Sequence, residues 1–192
     1  MKKRVAILIS GRGSNMEALI RAAKTPDYPA EIVGVLSNKA DAGGLAFAEA
    51  NGIATAVRSH KDFVTRDAFD AALDAVLREW RTDIVCLAGF MRVLTPGFVA
   101  GWEGRMLNIH PSLLPAFQGL HTHARALEAG VAEHGCTVHF VTAGLDDGPP
   151  ILTARVPVLP SDTAETLAAR VLIEEHRIYP EALAMVARGE AR

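Results

Sequence analysis

The sequence predicts a doubly wound, Rossmann-like α/β domain with a mostly parallel sheet and an antiparallel hairpin near its carboxyl end. Three observations carry that prediction. Through roughly the first hundred residues, short β-branched apolar runs alternate with amphipathic helical stretches. The runs are apolar almost throughout, as expected of parallel strands covered on both faces. In the last third, two strand-like segments are joined by a turn too short to hold a crossover helix, so that pair must be antiparallel.

Taken in order, Arg4 to Ser10 forms a first strand, a glycine turn follows, and a helix runs through about Lys24. "EIVGVLS" is a second strand, "GGLAFAEAN" a helix and "ATAVRS" a third strand. "DAFDAALDAVLREW" is a helix whose Phe69, Leu73, Val76, Leu77 and Trp80 share one face, and "DIVCLAG" is strand four. These elements make a first half of about 1–104. In the second half, about 105–192, "RMLNIHP" and "GCTVHFVT" are strands carrying polar residues that a core strand does not need, and "PPILTARVPV" completes the hairpin. A long helix from about Thr163 closes the chain, with Pro180 predicting a break or kink.

The 192 residues suit a single domain, 1–192, and at 49% hydrophobic they can bury a sizeable core. Apolar runs stay at strand length, far short of a membrane span. "MKKRVAILIS" has the charge of a signal peptide but lacks a cleavage pattern, and is expected to be the first strand. A net charge of -2 without a basic stripe argues against nucleic acid as a partner. Cys86 and Cys136 both lie in apolar segments, as small core side chains of a cytoplasmic protein would.

Four groups of residues could carry chemistry. "SGRGSN", Ser10 to Asn15, lies between the first strand and the first helix. Its Gly11 and Gly13 permit close backbone approach, while Ser14 and Asn15 are placed to cap a helix whose N–H groups attract an anion. It has neither the third glycine of a dinucleotide fingerprint nor a Walker lysine. Next, Asn108 and His110 in "NIHPSLLP" share a strand face by parity. An amide and an imidazole side by side can hold a carbonyl oxygen that becomes tetrahedral, and the imidazole can move a proton. The third group, Asp146 and Asp147 in "LDDGPP", could be ordinary turn residues, or could place a carboxylate that orients His110 and favours its protonated form. The last is a set of histidines, His110, His121, His123, His134, His139 and His176, without any zinc-binding spacing, so hydrogen-bonding roles and no metal are expected.

"LISGRGSN", "VLSNKADAGGL", "LAGFMRVLTPGFV", "LNIHPSLLPAFQGLHTHARAL", "GCTVHFVTAGLDDGPPIL" and "EEHRIYPEAL" appear in one order along nearly the whole chain, as far as about Leu183. Together they resemble the phosphoribosylglycinamide formyltransferase family of purine biosynthesis. The resemblance implies a formyltransferase fold and direct transfer of a formyl group from formyl-tetrahydrofolate, a co-substrate, to the amine of glycinamide ribonucleotide, with no metal. It assigns catalysis to Asn108, His110 and Asp146, and ribonucleotide binding to Gly13, Ser14, Asn15 and Glu175. It places the folate against Arg66, Met91, Arg92, Val93, Leu94, Asn108 and the Ala143, Gly144, Leu145, Asp146 loop. It implies neither nucleic acid nor membrane as a partner and leaves a homodimer open.

The chain departs from the family pattern at Arg12, where asparagine is common, at Gln118, often proline, and at Pro150, usually aliphatic. Relatives with the same three site residues include formyl-tetrahydrofolate deformylase and methionyl-tRNA formyltransferase. The first is expected to add an amino-terminal regulatory domain and the second a basic carboxyl-terminal one. A non-catalytic folate- or nucleotide-binding module would have no need of the three site residues together.

Overall fold

A computed structural model describes residues 1–192. The strands are β1 (Lys3–Ile9), β2 (Ala30–Ser37), β3 (Ala54–Val57), β4 (Ile84–Leu87), β5 (Met106–His110), β6 (Glu133–Phe140) and β7 (Pro150–Pro157). The helices are α1 (Ser14–Ala23), α2 (Gly44–Ala50), α3 (Arg66–Glu79), α4 (Pro96–Gly101), α5 (Thr122–Ala129) and α6 (Ala164–Arg188). One sheet runs β3-β2-β1-β4-β5-β6-β7; the first five strands in that order are parallel, and β6 is antiparallel to both β5 and β7. This is the doubly wound sheet with an antiparallel carboxyl-terminal hairpin that the sequence predicts.

Local chemistry sets most boundaries. Thr65 caps α3 by accepting from Ala68 N–H, Thr95 caps α4 with Pro96 at its first turn, and Thr163 closes a reciprocal capping box with Thr166. Of the break or kink expected at Pro180, the break does not occur: α6 is continuous for 25 residues. Pro180 withholds one helix hydrogen bond, but Ile178, Tyr179, Ala182 and Leu183 around it are buried, and packing of that stripe outweighs the missing bond. The Pro180 carbonyl accepts from the Tyr28 hydroxyl at 2.7 Å. Pro150 opens β7 at the sheet edge, opposite a register shift at Val138/His139, where a missing N–H is tolerated.

Each face of the sheet has its own core. On one side α1, α2, α5 and α6 pack residues such as Met16, Leu45, Ala126 and Val171 against Ile7, Cys86, Leu107 and Ile109. On the other, α3 and α4 pack Phe69, Leu73, Phe98 and Val99 against Ala6, Leu8, Val85 and Met106. Fully burying one such side chain contributes roughly 1.5–3 kcal/mol. Odd positions of β5 belong to the first core and Met106 to the second, so Asn108 and His110 point to the second side, beyond the cover of α3 and α4. Loops occupy that space instead. Cys86 and Cys136 are fully buried, and burial pushes both thiols up to about 12.

Candidate active site

Asn108 lies directly opposite His139 in the β5–β6 pair, and residues opposed in this way project to the same side. The Asn108 amide nitrogen is 3.3 Å from His139 Nε2. His139 Nδ1 lies 2.9 Å from the Phe140 carbonyl, which can only accept, so Nδ1 carries the proton and Nε2 offers a lone pair. Asn108 therefore donates one amide hydrogen to His139 and keeps its second for a ligand. Burial depresses the His139 pKa, against the opposing pull of the Phe140 carbonyl and Asp146, which favours the neutral ring that this pairing requires.

The β6–β7 turn folds back over this surface and brings Asp146 between the two histidines. Asp146 Oδ2 is 3.4 Å from His110 Nδ1, and Oδ1 is 3.9 Å from His139 Nε2. The side chains of His110 and Asp146 are only 7% and 11% exposed, so their interaction is sheltered from water. His110 Nε2 meets the Phe117 carbonyl at 2.8 Å, which places a proton on Nε2 and leaves Nδ1 to face the carboxylate. The Gly119 N–H donates to Asp146 Oδ2 at 3.0 Å, and Gln118 Nε2 donates to the Asp146 carbonyl at 3.1 Å. Asp146 itself has φ 49°, a left-handed conformation that costs a non-glycine residue on the order of 1 kcal/mol or more. Asn108 and His110, which share a strand face, and Asp146, which the family resemblance selects from its turn, thus converge. His139 is the member that sequence reasoning left among the general histidine set; its position opposite Asn108 was the missing information.

The glycine turn after β1 lies at the same end of the sheet. Gly13, at φ 68°, is the N-cap of α1, and no side chain makes a capping hydrogen bond. This corrects the expectation that Ser14 and Asn15 cap the helix: both lie inside it, which leaves its first N–H groups without a side-chain partner. Asn15 instead donates to Glu175 Oε1 at 3.1 Å, joining two residues 160 positions apart. Burial raises the Glu175 pKa, partly offset by that hydrogen bond. Asn15 Oδ1 and His176 Nε2 are buried without partners. A cavity of about 160 Å³ lies between the 11–15 turn and Ala88–Gly89 of the loop after β4. Ser10 ties the two loops together by donating to Asn38 Oδ1 at 2.6 Å and accepting from Met91 N–H at 2.8 Å.

Of the remaining predicted residues, the Arg66 guanidinium donates to the Val93 carbonyl, which unites two parts of the expected folate surface. Met91, Val93 and Leu145 are exposed, Arg92 is half-buried, and Leu94 packs into the α3–α4 core. Ala143 and Gly144 are exposed on the turn that carries Asp146. His123 Nδ1 and His134 Nε2 are 3.1 Å apart with their rings crossed at 88°. No cluster of three or more histidine, cysteine, aspartate or glutamate side chains is placed to hold a metal ion. No helix is long and apolar enough to cross a membrane.

The formyl transferase family model matches residues 3–183. Phosphoribosylglycinamide formyltransferase of Escherichia coli is 49% identical over 188 residues, covering 98% of this chain and 89% of that protein. The trifunctional purine biosynthetic protein adenosine-3 of Bos taurus is 56% identical over 191 residues, and the chain spans only 19% of its length. The crystal structure of phosphoribosylglycinamide formyltransferase from Brucella melitensis superposes with a TM-score of 0.94 at 61% identity, covering 97% of this chain and 96% of that one. With the site geometry and a family match over nearly its whole length, this chain belongs to the formyl transferase family.

Proposed function

We propose that the protein transfers the formyl group of formyl-tetrahydrofolate directly to the primary amine of glycinamide ribonucleotide, a step of purine biosynthesis. The observation that carries this reading is the convergence of Asn108, His110 and Asp146 at the same end of the sheet as the turn of Gly13, Ser14 and Asn15. An acyl-transfer group and an anion cradle lie at one end of the sheet, where open α/β sheets bind ligands. The phosphorylated substrate seats its phosphate on the unpartnered N–H groups at the start of α1, where the helix dipole favours an anion. Glu175, held by Asn15, reaches the ribose and glycinamide end of that ligand. Arg66, Met91, Arg92, Val93 and Leu94 form one wall of the folate cleft, and Ala143, Gly144, Leu145 and Asp146 the other.

In the reaction the amine nitrogen attacks the formyl carbon, a new C–N bond forms, and the carbonyl electron pair moves to oxygen. The free amide hydrogen of Asn108 stabilises that oxyanion with His110 beside it, and such a donor contributes most when charge has developed. Asp146 faces His110 Nδ1 and orients the ring, accepting from that nitrogen whenever it carries a proton. The amine loses a proton, the folate nitrogen gains one, and the bond between that nitrogen and the formyl carbon breaks. No covalent enzyme intermediate forms and no metal takes part. Supporting this reading are the relatives named for this reaction, one of which the chain matches over 89% of its length.

The test is to incubate the purified protein with formyl-tetrahydrofolate, with and without glycinamide ribonucleotide, and to follow folate deformylation and ribonucleotide formylation together. Equal amounts of both products, formed only when the ribonucleotide is present, are expected. Deformylation without the ribonucleotide would replace this reading with a hydrolase.

A further inference from the structure

We infer that Arg125 is a positioning residue for this reaction, acting from α5 through the 117–120 segment on Asp146 and His110. The inference rests on the function proposed above, and the closing experiment separates the two. The segment is the mechanical centre of the site: the Phe117 carbonyl accepts from His110 at 2.8 Å, Gly119 N–H donates to the Asp146 carboxylate at 3.0 Å, and Gln118 donates to the Asp146 carbonyl at 3.1 Å. Three bonds from three consecutive residues thus position both His110 and Asp146.

The segment has little reason of its own to hold this shape. Phe117, Gly119 and His121 have φ of 52°, 85° and 56°, and two of the three are not glycine. No strand or helix includes residues 117–120, and Gln118 and Leu120 are exposed. Something outside must hold them.

Arg125 does so with one nitrogen. Its Nη1 donates to the Gln118 carbonyl at 2.7 Å and to the Leu120 carbonyl at 3.0 Å, and its guanidinium lies 5.5 Å from the centre of the Phe117 ring. The anchor is firm, because α5 is tied down by Thr122, whose hydroxyl donates to the Pro111 carbonyl at 2.6 Å, and by fully buried Ala126. A planar, always-charged fork suits two carbonyls and a ring face together; a lysine ammonium would meet the carbonyls but lose the stacking. Because Arg125 grips the far side of the segment, its effect on the chemistry passes through Gly119 and Phe117.

The variants are Arg125→Met, which keeps the stem and removes every donor, and Arg125→Lys. Arg125→Met is expected to slow single-turnover formyl transfer about tenfold, the scale of a small misplacement of reacting groups. The dissociation constants of ribonucleotide and folate should stay within about twofold, and Arg125→Lys should recover part of the rate. In an Asp146→Asn background the same Arg125→Met change should cost less than about twofold, because the group it positions is already disabled. Gly119 amide hydrogen exchange should be about tenfold faster in Arg125→Met than in the parent protein. Equal rate losses in both backgrounds, an unchanged rate, or a loss confined to substrate affinity would each overturn the inference. The exchange measurement needs no substrate: an inactive parent protein would sink the proposed function, whereas unaltered Gly119 exchange in Arg125→Met would sink the clamp.

Discussion

Adding one methyl group at Gly148 tests whether the β6–β7 turn sets the site. Gly148 follows Asp146 and Asp147, and a Cβ built there would lie 1.7 Å from the Phe140 carbonyl oxygen and 2.9 Å from its carbon. Real Cβ contacts essentially never fall under 3.0 Å, so the two strands of backbone must separate by at least 1.3 Å, the difference between 3.0 and 1.7. Neither side can yield without cost. The Phe140 carbonyl fixes the His139 tautomer at 2.9 Å, and Phe140 N–H bonds the Pro149 carbonyl at 3.0 Å. If the turn moves instead, Asp146 is carried away from His110, which it meets at 3.4 Å. A displacement of more than an ångström in a catalytic group costs on the order of 100-fold in rate. Losing one hydrogen bond and straining the turn costs about 1–3 kcal/mol, or a Tm lower by about 3–10 °C in a chain of this size. Single-turnover formyl transfer and calorimetric titration of the ribonucleotide are the assays; the rate falls and ribonucleotide affinity holds. Gly97→Ala, where the added Cβ meets nothing within 4 Å, serves as the control. A folded Gly148→Ala protein with a rate within about twofold of the parent would refute the claim that this turn positions Asp146.

Two further predictions concern other parts of the site. Gly13→Val puts a β-branched residue at φ 68° with its Cβ 3.3 Å from Met16 Cβ and 3.4 Å from Ile9 Cγ2, which distorts the anion cradle. Ribonucleotide affinity should weaken by about tenfold or more while folate affinity holds, and calorimetric titration of both ligands in a folded variant decides it. The other concerns pH. Burial, then His123 and His110, push His134 down from 6.5 to about 4. Its folded value lies below its unfolded one, so the unfolded chain takes up the proton first, and stability falls as pH drops from about 6.5 to about 4, by on the order of 2 kcal/mol, with no such effect above that window. Urea unfolding across that range checks it, and His134→Gln should flatten the slope; an equal slope in that variant would place the pH dependence elsewhere.

Much of this arrangement is written locally in the chain. Strand-length apolar runs, capping threonines and the short β6–β7 connection are each decided within a few residues, which is why the alternation and the antiparallel hairpin were readable. Asn108 and His110 are readable because strand parity is local, whereas Asp146 is distinguished from Asp147 only by the family resemblance. What was not readable depends on distant partners. Helices α4 and α5 are only 6 and 8 residues long, too short for a clear hydrophobic period. Pro180 signals a break on its own terms, and only the burial around it shows why α6 continues. Gly13 rather than Ser14 caps α1 because the αL turn satisfies the chain geometry without a side chain. His139 joins the site through register, the Asn15–Glu175 bond spans 160 positions, and the grip of Arg125 on residues 118 and 120 needs the loop's three left-handed residues. None of these has a signature in sequence spacing.

On the proposed function, Asn108, His110 and Asp146 act as one unit on the transferring formyl group. Single-turnover rates of Asn108→Ala, Asp146→Asn and the double variant test it most directly. Each single change is expected to slow transfer by on the order of 100- to 1000-fold with substrate affinities nearly unchanged, since each removes stabilisation that appears only as charge develops. The double variant should be far less impaired than the product of the two losses, because once either member is gone the other has little left to stabilise. Losses that multiply fully would mean that Asp146 merely shapes its turn and that the three residues do not work together.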